Sequence, residues 1–293
     1  MTNTAPKRIT IEAADGYPLA ATLYEPAGEP RATVLLASAT GVKQSFYGKF
    51  ATFLREAGFR VVSFDYRGIG RSRRGRLRGF PASVTDWATK DTGAVLDWAA
   101  ARAPGGKVIY CGHSIGGQLV ALLANHGRIA ALMGVGTQAG YWRHWPMPMR
   151  FSFGLLMHAF MPILTPLFGY FPSRLFGIGE PLPKGVALEW ARWCRNSEYL
   201  LGMKDGPGRT HVEAFEGPVR AYSITDDKIA PQRPVAVWLD WFAGAEREHR
   251  HISPEEVGER EIGHFRVFRL GEASPLWQEM RAWIETQAAA IST

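Results

Sequence analysis

The stretch that decides the fold is Lys107-Val-Ile-Tyr-Cys-Gly-His-Ser-Ile-Gly-Gly-Gln118. It starts with apolar residues typical of a buried strand and ends in Gly112-His113-Ser114-Ile115-Gly116, which has the pattern G-x-S-x-G. The apolar residues at 118–124 predict a helix. A Cβ at either glycine would clash in so tight a strand-to-helix turn, and the serine backbone would be strained. The turn is expected to present Ser114 Oγ beside free backbone N–H groups, as a nucleophile requires.

Apolar runs alternate with helical patterns along the rest of the chain. An alternating segment at 8–14 and its partner at 19–24 predict a hairpin around the turn Asp15-Gly16. Further strands are predicted at 32–37, 59–64, 129–135, 218–224 and 248–253, and helices at 44–57, 84–101 and 275–288. Strands that alternate with helices predict an α/β fold, with a mostly parallel central sheet and helices on both faces.

Residues 138–217, called the insertion below, interrupt this alternation. They are rich in aromatic, Met and Pro residues, and the segment 151–168 is as long and apolar as a membrane span. Pro162 and Pro166 are predicted to break a helix there, with His158 near its centre, so a cap over a binding site is preferred. A surface that faces a membrane or a partner remains an alternative. The predicted domains are a core in two parts, 1–137 and 218–293, and the cap at 138–217.

Composition and charge exclude several classes of protein. The chain has 293 residues, 46% of them hydrophobic, and a formal net charge of +7. Two cysteines, Cys111 and Cys194, make no disulfide framework, and the first residues lack an apolar leader, so a cytoplasmic location is expected. The basic run 67–78 has no aromatic residue for base stacking, which indicates a solvated loop and no nucleic-acid partner. His249 and His251 lack a pattern of neighbouring metal ligands, so neither a metal nor a cofactor is predicted.

A serine hydroxyl needs a base, and that base needs an acid that orients it. The strand predicted at 218–224 runs into Asp226 and Asp227, at the carboxyl end where α/β sheets bind ligands. Asp227 is preferred, and Asp226 stays open, because neighbours on an extended loop face opposite ways. His264 follows the last predicted strand and is the histidine best placed to act as the base.

The oxyanion of an acyl-transfer reaction needs two backbone donors. One is the N–H of Ile115, directly after the nucleophile. The other is expected from the loop 38–42, which follows the strand predicted at 32–37.

These motifs resemble the α/β-hydrolase superfamily over nearly the whole chain. The elbow at Ser114 and the stretches 65–72, 227–231 and 263–264 carry the resemblance. Within the superfamily the chain is similar to the serine aminopeptidase and monoglyceride-lipase-like branch, and most to bacterial hydrolases of unassigned substrate. The resemblance implies that Ser114, Asp227 and His264 form the triad. Aligning Tyr47 with the tyrosine that follows the oxyanion loop of that branch puts Ser38-Ala39 where His-Gly is usual, and implies Thr40 as the second N–H donor.

The expected activity is hydrolysis of a small-molecule carboxylic ester through an acyl-enzyme. Aromatic residues of the insertion, Tyr141, Trp142 and Trp145, are predicted to contact an apolar acyl or aryl group. An aminopeptidase would need an anionic patch for the substrate's amino group. The acidic residues of the insertion that could supply that patch are few: Glu180, Glu189, Glu198 and Asp205. The ester is therefore preferred to the peptide, while acyl transfer to another acceptor and a non-catalytic scaffold stay open.

Overall fold

A computed structural model describes residues 5–177, 179–203 and 206–292. Asp205, one of the acidic residues considered for a peptidase, lies outside this described part. The strands are β1 (Lys7–Glu12), β2 (Pro18–Tyr24), β3 (Thr33–Ala37), β4 (Arg60–Phe64), β5 (Val108–His113), β6 (Ile129–Val135), β7 (Tyr170–Phe171), β8 (Leu182–Pro183), β9 (Val219–Ile224) and β10 (Arg247–Ile252).

Eight of these strands form one mixed sheet in the order β1-β2-β4-β3-β5-β6-β9-β10. The hairpin β1–β2 is antiparallel, β2 joins β4 antiparallel, and all later neighbours are parallel. Every residue of β3 and β5 is buried, as expected for strands covered on both faces. The predicted α/β-hydrolase fold, with a mostly parallel sheet, is confirmed.

Helices cover both faces of the sheet and build two hydrophobic clusters. Apart from the helix of the insertion described below, the α-helical elements and the π-helical turn are Gly48–Glu56, Val84–Asp86, the π-helical turn Trp87–Thr92, Gly93–Ala100, Ile115–Gln118, Lys184–Cys194, Gly208–Glu213, Gln232–Leu239, Gly263–Arg266 and Pro275–Ser292. The helix predicted at 118–124 begins earlier, at Ile115, directly after the nucleophile, and continues as a 3-10 turn over Leu119–Leu122. The earlier start follows from the tight turn, which leaves no residue between Ser114 and the first helical residue.

The prediction that Pro162 and Pro166 break the helix of the insertion is wrong. One continuous helix, the insertion helix, runs over Met149–Phe168. Its centre, Leu156–Phe160, is a π-helical turn. A proline ring collides with the carbonyl four residues earlier, and for Pro162 this carbonyl belongs to His158 inside the widened turn. Among the described residues this is the one helix with the length and apolarity of a membrane span.

The parallel strands bring their carboxyl ends to the same edge of the sheet. Ser114 follows β5, the loop 38–42 follows β3, and Asp227 follows β9. His264 comes from the segment after β10. Residues that are up to 226 positions apart in sequence, between 38 and 264, therefore meet at one edge.

Candidate active site

Ser114 lies on a strained turn. Its backbone angles are φ 54° and ψ −121°, a conformation that a residue with a side chain rarely adopts. A Cβ on Gly112 would overlap the backbone of Gly117, and a Cβ on Gly116 would overlap the carbonyl oxygen of Ala37. The two glycines of the motif are thus required because the turn packs directly on its own helix and on β3.

Asp227 and His264 are joined by a hydrogen bond. Asp227 Oδ2 lies 2.7 Å from His264 Nδ1, and both side chains are buried. The other carboxylate oxygen of Asp227 accepts hydrogen bonds from the backbone N–H groups of Ile229 and Ala230, at 2.7 and 2.9 Å. A carboxylate fixed by three donors holds the imidazole in one orientation, with Nε2 turned away from Asp227.

The carboxyl group of Asp227 stays ionised. Burial alone would raise its pKa, but the charge of His264 and the hydrogen bonds that Asp227 accepts hold the pKa below its ordinary value. An ionised acid next to the imidazole favours an imidazolium whenever His264 takes a proton.

Asp226 contacts the same segment in a different way. Its two carboxylate oxygens accept hydrogen bonds from the N–H groups of Ile262 and Gly263, at 2.9 and 2.8 Å. These bonds fix the backbone immediately before His264. Between the two acids that the sequence left open, Asp227 is the one that contacts the imidazole.

Ser114 and His264 line the same cavity, which has a volume of about 390 Å³. The other lining residues are Ala39, Thr40, Gln138, Trp145, Met149, Ser152, Phe153, Leu156, Phe176, Trp190, Lys228, Ile229 and Phe265. In the described part of the chain Ser114 Oγ has no hydrogen-bond partner. The hydroxyl and the imidazole thus share an apolar space large enough for a small ligand.

Two backbone N–H groups beside Ser114 are available to a ligand. Neither the N–H of Ile115 nor that of Thr40 donates a hydrogen bond to any group among the residues described. Thr40 lines the cavity, and the loop that carries it is held by the hydrogen bond from Ala39 N–H to Tyr47 Oη, at 2.8 Å. The arrangement suits an oxyanion formed on a substrate bound to Ser114.

A buried network whose partners the sequence does not reveal connects this loop to His264. His113 is fully buried, and burial together with the charge of His264 lowers its pKa well below the ordinary value, so the ring is neutral. Its Nε2 lies 2.9 Å from the carbonyl oxygen of His264, which can only accept, so Nε2 carries the proton. Nδ1 then accepts from the Tyr47 hydroxyl at 2.8 Å. Ala39, Tyr47, His113 and His264 are thereby linked in one chain of hydrogen bonds.

The three aromatic residues predicted to contact substrate lie in different places. Trp145 lines the cavity, stacks on Phe153 at 4.2 Å between ring centroids, and donates from Nε1 to the carbonyl of Lys228. Trp142 lies outside the cavity lining and packs on Gly154 of the insertion helix. Tyr141 packs edge-on against His144. Tyr141 and Trp142 do not line this cavity, and their contact with a substrate stays a prediction.

The three described acidic residues that were considered for a peptidase do not line the cavity. Glu180 accepts from the Gly70 N–H at 2.7 Å and pairs with Lys43 at 3.1 Å. Glu189 accepts from the N–H and the hydroxyl of Thr85, both at 2.9 Å. The third, Glu198, is exposed and pairs with Arg209. These three carboxylates fasten the insertion to the core or to itself.

A larger and more open cleft of about 840 Å³ lies between the insertion and the first hairpin. Its buried cation, Arg67, is already paired with Asp15 and Asp91, each at 2.7 Å. No group of three or more His, Cys, Asp or Glu side chains that could hold a metal ion occurs within the described ranges. The candidate site is therefore the smaller cavity that contains Ser114.

Comparison with known proteins finds a matching family model and solved structures of similar fold. Residues 28–178 match the family model described as serine aminopeptidase, S33. A soluble variant of monoglyceride lipase from Saccharomyces cerevisiae, solved with a substrate analogue, superposes with a TM-score of 0.66 at 16% identity, over 98% of this chain and 96% of that one. No curated protein sequence matches significantly.

Two further solved structures are similar in fold. A monoacylglycerol lipase from Paleococcus ferrophilus gives a TM-score of 0.60 at 17% identity, over 92% of this chain and 99% of that one. A thermophilic esterase from Thermogutta terrifontis gives 0.58 at 17% identity, over 96% and 99%. These likenesses, at such low identity, concern the fold.

Proposed function

This chain belongs to the serine aminopeptidase S33 family of α/β hydrolases, and from that premise we propose that it hydrolyses carboxylic esters with an apolar acyl or aryl group. The reaction proceeds through an acyl-enzyme at Ser114. The observation that carries the proposal is the shared cavity, in which a strained serine and an Asp-bonded histidine face an apolar space.

Each residue of the site has one task. Ser114 Oγ attacks the ester carbonyl while His264 Nε2 takes its proton, and the same proton then goes to the departing alkoxide. Asp227 fixes the imidazole and stabilises the imidazolium. A water molecule, deprotonated by His264, attacks the acyl-enzyme in the second half and releases the acid. The N–H groups of Ile115 and Thr40 bind the oxyanion, and loss of one such donor costs about 10²–10³-fold in kcat.

The cavity wall argues for an ester rather than a peptide with a free amino group. Trp145, Phe153, Leu156, Phe176 and Trp190 supply an apolar wall. An α-ammonium group needs a carboxylate partner, and the residues that line the cavity include none.

The proposal is tested with two matched substrate series. One series is p-nitrophenyl esters from acetate to palmitate, and the other is aminoacyl-naphthylamides, each measured with the wild-type chain and with Ser114→Ala as the background. We expect ester turnover that depends on Ser114 and rises with acyl length until the chain fills the cavity. Naphthylamide turnover above ester turnover would replace the ester proposal with a peptidase.

A further inference from the structure

The outer face of the insertion helix and the turn before it expose a row of large apolar side chains, called the apolar strip below. Its members are Met147, Phe151, Leu155, Phe160, Ile163 and Leu167, and they are 40–68% exposed. Steps of three or four residues keep them on one face. The single step of five residues, from Leu155 to Phe160, crosses the π-helical segment. A π-helical turn holds more residues than an α-helical turn, so the wider step keeps Phe160 on the same face.

The opposite face of the same helix is packed into the fold. Met157, Met161 and Thr165 are fully buried there. Only 22% of the helix's most apolar window is buried overall. A protein in water rarely exposes a contiguous apolar row of this length unless something covers it.

The apolar strip adjoins the cavity of the candidate site. Met149, Phe153 and Leu156, from the same helix, line that cavity. Phe160 of the strip contacts Phe176, which also lines the cavity, with 5.6 Å between ring centroids. The neighbour of Phe176, Leu175, is 74% exposed and extends the apolar surface. A ligand held in the molecule or assembly that covers the apolar strip would therefore lie next to the cavity.

A loop that carries unpaired cations reaches the C-terminal end of this helix through Arg78. The loop that follows Gly70, called the arginine loop below, exposes five arginines: Arg71, Arg73, Arg74, Arg76 and Arg78. None of the five pairs with a carboxylate in the described part of the chain, in contrast to Arg67, which is buried between two. The loop touches the helix end, because a Cβ on Gly169 would lie 2.8 Å from Arg78 Cγ.

The insertion itself has the same sign of charge. Residues 138–177 contain no Asp or Glu. Arg143 and Arg150 lie near the start of the insertion helix, where one stacks on the Trp142 ring and the other donates to the carbonyl of Trp145. The apolar strip is thus flanked by arginines at both ends and by no acid of its own segment.

We propose that the apolar strip and the arginine loop together form a docking surface for an anionic lipid bilayer. The helix lies in the plane of the membrane, with the strip among the acyl chains and the arginines on lipid phosphates. One packed face and one exposed face suit this orientation better than a spanning helix, whose whole surface would have to leave the fold. Apolar burial and charge are both required, because stable attachment generally needs two such signals.

The test uses the purified full chain and sedimentation with sucrose-loaded vesicles. One vesicle is phosphatidylcholine alone, and the other is an equimolar mixture with phosphatidylglycerol. We expect binding to the anionic vesicles only, weakened by salt. Arg73→Gln/Arg74→Gln/Arg76→Gln should bind about 100-fold more weakly, at roughly fivefold per arginine. Leu155→Gln/Ile163→Gln/Leu167→Gln should lose at least about tenfold per side chain withdrawn from the acyl region.

Matched controls separate this surface from net charge. Lys7→Gln/Arg8→Gln/Lys107→Gln removes three exposed cations from other parts of the chain and should bind as wild type does. Ser114→Ala should also bind normally, so the docking result is independent of the proposed activity. All variants are checked for unchanged melting by circular dichroism, since each site is exposed.

Three results would overturn the docking proposal. The first is no binding to either vesicle, and the second is equal binding to neutral and anionic vesicles. The third is a dimer in sedimentation velocity that the strip variant dissociates and that vesicles do not, because a second copy of the chain would then be the occupant of the strip.

Discussion

Asp226 and Asp227 are consecutive, yet their carboxylates hold two different parts of one segment. Asp227 Oδ2 accepts from His264 Nδ1 at 2.7 Å, while Asp226 accepts from the N–H groups of Ile262 and Gly263. One acid orients the imidazole and the other orients the backbone that carries it. The two acids follow β9 in a turn that is closed by the hydrogen bond from the Asp227 N–H to the Ile224 carbonyl, and from this turn their side chains reach different parts of the segment.

This pair supplies matched variants for the proposed mechanism. Asp227→Asn should lower kcat on a p-nitrophenyl ester by about 10⁴-fold, because an amide no longer selects the required tautomer of His264. Asp226→Asn keeps an acceptor oxygen for the backbone, so kcat should fall by about tenfold or less. Its free energy of unfolding should drop by about 1–3 kcal/mol, as the bonds to Ile262 and Gly263 lose their charge.

Steady-state kinetics and urea unfolding of both variants measure these effects. Equal losses of kcat in the two variants, or the larger loss in Asp226→Asn, would mean that the acid has been assigned to the wrong position.

The packing of the nucleophile turn predicts a sharp contrast between two glycines. Gly116→Ala would place a methyl group on the carbonyl oxygen of Ala37, so β3 would have to shift. We expect a loss of about 3 kcal/mol or more in unfolding free energy, or no folded protein. Gly28→Ala meets no atom within 4 Å and should stay within about 0.5 kcal/mol of wild type. Thermal melts of the two variants give the comparison, and a Gly116→Ala chain as stable as Gly28→Ala would show that the turn is looser than described.

His113 predicts how stability depends on pH. Burial lowers the pKa of this imidazole in the folded chain, whereas the unfolded chain has an ordinary pKa near about 6.5. Below that pH the unfolded state takes a proton that the folded state refuses, so the free energy of unfolding falls by up to about 1.4 kcal/mol per pH unit. The substitution His113→Gln removes the imidazole that binds this proton in the unfolded state.

The comparison is the slope of unfolding free energy between about pH 7.5 and pH 5.5 for wild type and His113→Gln. An unfolded imidazole is half protonated near about pH 6.5, so the variant's average slope over this range should be smaller by about half a proton. The slope should not be zero, since burial also lowers the pKa values of His144, His211 and His249. An identical slope in the two proteins would mean that the folded state protonates His113 after all.

The sequence predicts the parts of this molecule whose patterns are local. The elbow at Ser114 is readable because two glycines, a strand and a helix stand in a fixed order. The parallel sheet is readable because β3 and β5 are continuous apolar runs. His264 could be selected by its order in the chain after the nucleophile and the acid.

Other features depend on contacts between distant residues. The Tyr47–His113 bond joins residues 66 apart, and no local pattern marks either residue as its partner. Trp142 has the same composition signal as Trp145, yet Trp145 lines the cavity and Trp142 does not. The helix continues through Pro162 because a π-helical turn precedes this proline. The presence of a proline in the sequence does not by itself indicate such a turn.

The most direct test of the central claim is covalent labelling of the nucleophile. The full chain is treated with a fluorophosphonate, digested, and analysed by tandem mass spectrometry, with Ser114→Ala as the parallel sample. We expect one phosphonylated residue, Ser114, together with complete loss of ester hydrolysis, and no label on the Ser114→Ala chain. A folded wild-type chain that stays unlabelled at Ser114, or that cleaves esters equally well without this hydroxyl, would contradict this expectation.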